Sequence, residues 1–234
     1  MEALRKIFGI ATLMALLGIM FIPVSTIAAD VDVYAEGAYT DTDLVVYIYA
    51  DINTTNIVSF GVRLFYDSSK LTVASAQKNE AVWYMGDGTN NYPYQDPQDL
   101  GNGVLFIGGK LDVNNPTAGV GGTRVLLGTV TFNRTESGVP TSPAEGYFGI
   151  SLDLGKASPY VNFASVAGDN IDTGVGFSAI VRERGDANGD GRISVQDILR
   201  AKTYIGNPNF PPFVDCNNSG DISVQDLLCI KSKI

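Results

Sequence analysis

The chain has 234 residues, 45% of them apolar, with 26 glycines, a length that accommodates one full domain and one small module. Its formal charge is −9, and an acidic chain of this kind is a poor partner for nucleic acid or anionic lipid. It contains no histidine, which excludes a histidine triad, a histidine general base and a histidine-ligated zinc site.

Residues 1–29 have the layout of a secretory signal peptide. Arg5 and Lys6 form a charged start, Ile7 to Ile22 is an uncharged apolar run, and small residues follow at Ala28 and Ala29. The uncharged stretch is also long enough to span a bilayer, so an uncleaved anchor is the alternative and the one route to a membrane. Either way the remainder lies outside the cytoplasm, as a secreted or cell-surface chain. Without the segment, 14 basic residues face 24 acidic ones.

Residues 30–181 read as all-β. Short runs rich in β-branched and aromatic residues predict nine strands: Val31–Tyr39, Leu44–Ile52, Ile57–Tyr66, Leu71–Ala76, Val82–Met85, Gly103–Leu111, Arg124–Asn133, Tyr147–Leu154 and Gly174–Val181. Turn residues separate them, among them Asn53-Thr54-Thr55 and Asp67-Ser68-Ser69. Phe60, Val62, Leu64 and Tyr66 share one face. Leu44 to Tyr49 is apolar on both faces, which predicts a central strand with one face in the core and the other covered. The fold class is mainly β: a two-sheet, jelly-roll sandwich followed by a small all-α module.

Between strands, Trp83, Tyr84, Tyr92 and Tyr94 cluster among Gly, Asn, Asp and Pro. Such aromatics could stack on sugar rings, or simply pin a long loop. Glu80, Glu136, Glu145 and Asp153 are the carboxylates a glycoside hydrolase would need, but none sits in a recognisable catalytic setting, so no catalytic residue is assigned and an enzyme is not expected.

The C-terminal 182–234 carries the strongest signal. D-x-N-x-[D/S]-G, five residues, then Asp occurs twice, 29 residues apart, and the copies agree at 11 of 20 positions. Calcium takes six to eight oxygens, which a twelve-residue loop supplies from positions 1, 3, 5, 7, 9 and 12. In loop one these are Asp186, Asn188, Asp190, Arg192, Ser194 and Asp197; in loop two, Asp215, Asn217, Ser219, Asp221, Ser223 and Asp226. Position 7 gives only its carbonyl, so Arg192 is tolerable. Gly191 and Gly220 stand at position 6, where the chain turns sharply. Two calcium ions are expected, more tightly held in loop one, which has three carboxylates against two among the side-chain ligands. Cys216 and Cys229 both fall in the second copy, and the sequence leaves open whether they form a disulfide or remain thiols.

These are not ordinary EF-hands. VRERG before loop one is too short for an entering helix, and the three prolines of NPNFPPFV forbid one before loop two. Only exiting helices remain, from Val195 to about Ile205 and from Val224 onward. Half an EF-hand, twice, closed by Asp, resembles the dockerin family. That resemblance implies a partner-binding face at loop positions 10 and 11 and further along each helix: Val195, Gln196, Lys202 and Thr203, matched by Val224, Gln225, Lys231 and Ser232. It implies a cohesin partner, read in either of two orientations.

In the sandwich, FGVRLFYDSSKLTVASA, GTVTFNR, GYFGISLDLGKASPY and GVGFSAIV follow an order similar to the cohesin domain, and more broadly to the superfamily that also holds carbohydrate-binding modules. Together the resemblances imply a non-catalytic adhesion or scaffold component. Its partner would be a cohesin of a scaffold protein or of another copy of this chain. The alternative is a carbohydrate-binding component of a polysaccharide-degrading complex. The join of about five residues predicts a calcium module held close against the sandwich, too short a tether for its binding face to dock there. If calcium organises the loops, chelation should abolish the helical circular-dichroism signal of residues 182–234, and calcium should restore it.

Overall fold

A computed structural model describes residues 29–87, 96–116, 118–135, 146–155 and 163–234. Eleven strands, two α-helices and one 3-10 turn (Asp172–Gly174) lie within them: β1 (Val31–Tyr39), β2 (Asp43–Phe65), β3 (Leu71–Lys78), β4 (Met85–Gly86), β5 (Gln98–Asp99), β6 (Gly103–Gly109), β7 (Leu111–Asp112), β8 (Val120–Arg134), β9 (Ser151–Leu154), β10 (Ala164–Ser165), β11 (Val175–Glu183), α1 (Val195–Lys202) and α2 (Val224–Ser232). The expected signal segment lies outside the described residues, apart from its last residue.

The predicted break at Asn53-Thr54-Thr55 does not end a strand. β2 runs on for 23 residues and serves two sheets. Its first half pairs with β1 and β8, giving the order β11-β1-β2-β8-β3, with β11 parallel to β1. Its second half pairs with β6 and β9, and β5 extends that sheet beyond β6. The passage between sheets falls where pairing with β8 jumps from Ile52 to Ile57. Short polar residues suit that bend. The Asn53 amide donates to the Ala29 carbonyl and to Asp32, and the Thr54 hydroxyl to Asp30.

The two sheets close over one apolar core. Leu44, Val46, Ile48 and Ala50 point inward from one half of β2, and Phe60, Val62 and Leu64 from the other; all seven are fully buried. Alternation alone dictates this, because successive strand side chains face opposite ways. Phe106 of β6 lies against Gly128 of β8, where a Cβ would collide with the ring. Leu71 returns to the core after an Asx turn in which Asp67 Oδ1 accepts from Ser69 N–H at 3.0 Å.

Three other expectations shift. Val82–Met85 is a turn rather than a strand, and only Met85–Gly86 pairs, with β7. The strand predicted from Tyr147 begins at Ser151, and that predicted from Arg124 begins at Val120. Tyr92 and Tyr94 lie outside the described residues. Trp83 and Tyr84 do not form a sugar platform. Trp83 is fully buried, edge-on to Phe60 with centroids 4.7 Å apart, its Nε1–H donating to the Leu126 carbonyl. Tyr84 is buried beneath the Lys110 ammonium, 3.3 Å from the ring centroid, and its hydroxyl donates to Asp112. Burying so much aromatic surface closes the end of a core that alternation along the strands cannot close by itself.

β11 ends at Glu183 and loop one starts at Asp186, so the module lies directly against the sandwich. Arg184 N–H donates to the Tyr39 carbonyl, and Gly185 N–H to that of Phe213. The Lys233 ammonium reaches the Arg184 carbonyl at 2.6 Å. Ala38 of β1 belongs to the module's own small core, with Ala187, Ala201, Phe213, Val214, Ile222 and Ile230. The outer face of β2, apolar without an obvious cover in the sequence, is half-buried here: Tyr47 and Tyr49 line a cleft together with the segment before loop two. Trp83→Ala should cost the sandwich roughly 3–5 kcal/mol in urea unfolding followed by circular dichroism, the range for deleting a buried large aromatic.

Candidate metal centre and docking face

Each loop folds back on itself through its own carboxylates. In loop one, Asp186 Oδ1 accepts from Gly189 N–H at 2.8 Å and Oδ2 from Gly191 N–H at 3.2 Å. Asp197 Oδ1 accepts from Asn188 N–H at 3.0 Å and Oδ2 from Ser194 N–H at 2.8 Å. Loop two repeats the pattern. Asp215 accepts from Ser219 and Gly220 N–H, and Asp226 from Asn217 and Ser223 N–H. Gly191 and Gly220 have φ of 80° and 88°, the left-handed turn expected at position 6.

A second left-handed residue, unnoticed in the sequence, stands at position 4: Gly189 with φ 77° and Asn218 with φ 59°. The residue types were the available signal, since Gly and Asn tolerate this conformation best. Also unnoticed was the double use of positions 9 and 12. Ser194 with Asp197, and Ser223 with Asp226, form capping boxes that start α1 and α2. The residues that close each loop therefore also nucleate its helix.

Asp186, Asp197, Asp215 and Asp226 are all buried, and none forms an ion pair among the described residues. Their partners are backbone and hydroxyl donors. Burial pushes the Asp186 and Asp215 carboxyls above their usual 3.8, with Asp197 and Asp226 respectively adding to the effect and backbone N–H donors opposing it. Buried carboxylates of this kind call for a cation, and the oxygen-only donor set suits a hard one such as calcium. Among the described residues no three acidic or thiol side chains converge on one point. The third acid of loop one, Asp190, is engaged by Arg192 N–H and the Asn188 amide. The remaining donors in each loop are amide, hydroxyl and carbonyl oxygens.

The copies are anchored differently. Cys216 and Cys229 form a disulfide with Cα atoms 5.8 Å apart, tying loop two to α2. In copy one the same positions are Ala187 and Arg200, and β11 leads directly into the loop.

All eight residues expected on the docking face are exposed. Two further apolar side chains, Leu199 and Leu228, are exposed on the same two helices. Val195 and Leu199 on α1 are 61% and 62% exposed, and Val224 and Leu228 on α2 are 60% and 59% exposed. Four-residue spacing places each pair on one helix face, with Lys202 and Lys231 a turn further on. Equal exposure at equivalent positions makes two matching apolar steps, while the buried equivalents Ala201 and Ile230 face the module core. The Thr203 and Ser232 hydroxyls donate to the carbonyls of Arg200 and Cys229.

The family model for the dockerin type I domain, a calcium-binding domain, matches residues 184–234. No curated protein matches the chain. Among solved structures, a chain of a type I cohesin–dockerin complex from Clostridium thermocellum is 19% identical, with 67% of this chain and 97% of that one covered and a TM-score of 0.45. A non-cellulosomal cohesin from Archaeoglobus fulgidus is 17% identical, with 66% and 91% covered and a TM-score of 0.42.

The raised Asp186 and Asp215 carboxyls give a pH dependence of known sign. The folded chain holds these protons more tightly than the unfolded chain, so without metal their contribution to stability falls as pH rises above about 4. With chelator present, the melting temperature of the helical signal should therefore drop between about pH 4 and pH 7. With saturating calcium it should rise over the same range, because the ion binds only ionised carboxylates.

Proposed function

We propose that this chain is a secreted, non-catalytic adhesion or scaffold component whose C-terminal module docks on a cohesin domain. The cohesin would belong to a scaffold protein or to another copy of this chain, and the sandwich would serve as a second interaction module. Two calcium ions would be held, one by Asp186, Asn188, Asp190, Ser194, Asp197 and the Arg192 carbonyl, the other by Asp215, Asn217, Ser219, Ser223, Asp226 and the Asp221 carbonyl. When bound, calcium supplies the positive charge that the buried carboxylates lack and so fixes the helices that each loop starts.

The observation that carries this reading is the pair of equivalent apolar steps on α1 and α2. Large exposed apolar side chains at matched positions on two related helices are what a docking face needs, and packing within the module does not use them. The face lies on a module that leans on its sandwich through other residues, so it stays open to a second molecule. Gln196 and Gln225 beside the valines, and Lys202 and Lys231 beyond the leucines, would give a polar rim.

Two equivalent faces make the expected mutational pattern unusual. Binding of a type I cohesin would be measured calorimetrically in calcium. Leu199→Asp or Leu228→Asp alone should weaken it by only about twofold, because the other orientation remains. The double variant should lose it by more than about 100-fold, the scale of a central apolar anchor. Chelator should abolish binding in every case. Equal losses from a single and the double variant would contradict two-fold use of the face.

A further inference from the structure

Arg124 occupies a place on the sheet that costs the backbone. β8 slips against β2 between Ile48 and Tyr49 and again between Ala50 and Ile52. Within this irregular stretch Arg124 has φ 54°, a left-handed conformation unfavourable for a residue with a long side chain. Its N–H donates to Asp51 Oδ1 at 2.6 Å, which fixes the turn. The side chain then crosses the Tyr49 ring, with the guanidinium carbon 4.2 Å from the centroid. It makes a two-pronged pair with Glu36, Nη1 to Oε1 at 3.1 Å and Nη2 to Oε2 at 2.6 Å. The same Nη2 donates to the Phe210 carbonyl at 2.6 Å.

Phe210 lies in the proline-rich segment that joins the two copies, five residues before Asp215. Neither helix nor strand orders that segment. A cleft of about 240 Å³ lies at this contact, lined by Tyr47, Tyr49 and Arg124 of the sheet, by Phe210 of the segment and by Asp215 and Asn218 of loop two.

We propose that Arg124 is a positioning residue for loop two: through it the sandwich holds the entering segment so that Asp215 and its loop are ready for calcium. The inference rests on the calcium reading given above. A site that is competent only part of the time binds with an affinity reduced by that fraction. A guanidinium fixed by Glu36 and bonded to Phe210 raises the fraction. The coupling is reciprocal, so calcium in loop two tightens the segment onto the sandwich. Loop one is entered directly from β11 and needs this contact less.

The backbone strain supplies a discriminating variant. Glycine adopts φ 54° freely, so Arg124→Gly removes the guanidinium and the strain together. Arg124→Lys keeps the charge but loses the planar fork. Calcium would be titrated calorimetrically into the full chain in two backgrounds, Asp186→Asn to silence loop one and Asp215→Asn to silence loop two. For loop two, Arg124→Gly should raise Kd by about tenfold and Arg124→Lys by less. For loop one the change should stay within about twofold. Relief of the backbone strain offsets only part of the lost Glu36 pair, so the denaturant midpoint of the sandwich, followed by Trp83 fluorescence, should fall less in Arg124→Gly than in Arg124→Ala. Amide hydrogen exchange at residues 209–214 should quicken in both variants. Unchanged loop-two affinity, or equal weakening of both loops, would overturn the proposal while leaving the calcium reading intact. A chain with Arg124 in place that bound no calcium in either background would overturn both.

Discussion

Four aspartates, buried and supplied only with backbone and hydroxyl donors, govern the C-terminal end of this chain. A carboxylate taken out of water costs several kcal/mol unless charge is returned to it. Asp186, Asp197, Asp215 and Asp226 receive hydrogen bonds but form no ion pair among the described residues, and the Arg182 charge offsets the burial of Asp186 only in part. The same four groups shape the turns, and two of them cap the helices. Turn and helix are therefore one unit here, and the calcium proposed for the loops would join it. The apolar core beneath is small, with several of its buried members no larger than alanine, and alone it is a weak source of order.

Around that shared dependence the copies diverge. The first hangs from β11, and the same junction also touches the segment before loop two, with Arg182 over the Phe213 ring at 4.7 Å and Gly185 N–H on the Phe213 carbonyl. The second carries the disulfide and meets the sandwich through Arg124. Only the second copy has a disulfide and an arginine contact from β8, although the loops and exposed helix faces of the two copies match. That division leaves one side of the module for the sandwich and another for a partner.

β2 links the two halves of the molecule. Its inward residues form the sandwich core from both sheets, and its outward Tyr47 and Tyr49 meet the module. Tyr47 lies close enough to Asp215 to feel its charge, and burial raises its phenol above the usual value. The strand that is apolar on both faces thus has two neighbours, one from its own domain and one from the next.

The two C-terminal loops were legible because their information is local. Ligand types, spacing and the turning glycine all fall within twelve residues, and repetition made the pattern unmistakable. Most strands were legible for a similar reason, since alternation with period two marks a buried face wherever it occurs. What depended on distant residues was not legible. Trp83 looked like a surface aromatic until Phe60 and Leu126 closed around it. Asn53 to Thr55 looked like a turn because nothing nearby reveals that β2 changes sheets there. The pairing of Cys216 with Cys229, and the reach of Arg124 from Glu36 to Phe210, required the chain to be folded. Residue types and their spacing were enough to say which oxygens could gather around a cation and which strands would hide a face. What lies against the outer side of β2 and which helix faces stay open emerged from the folded chain alone, because those depend on how two modules pack rather than on any single stretch.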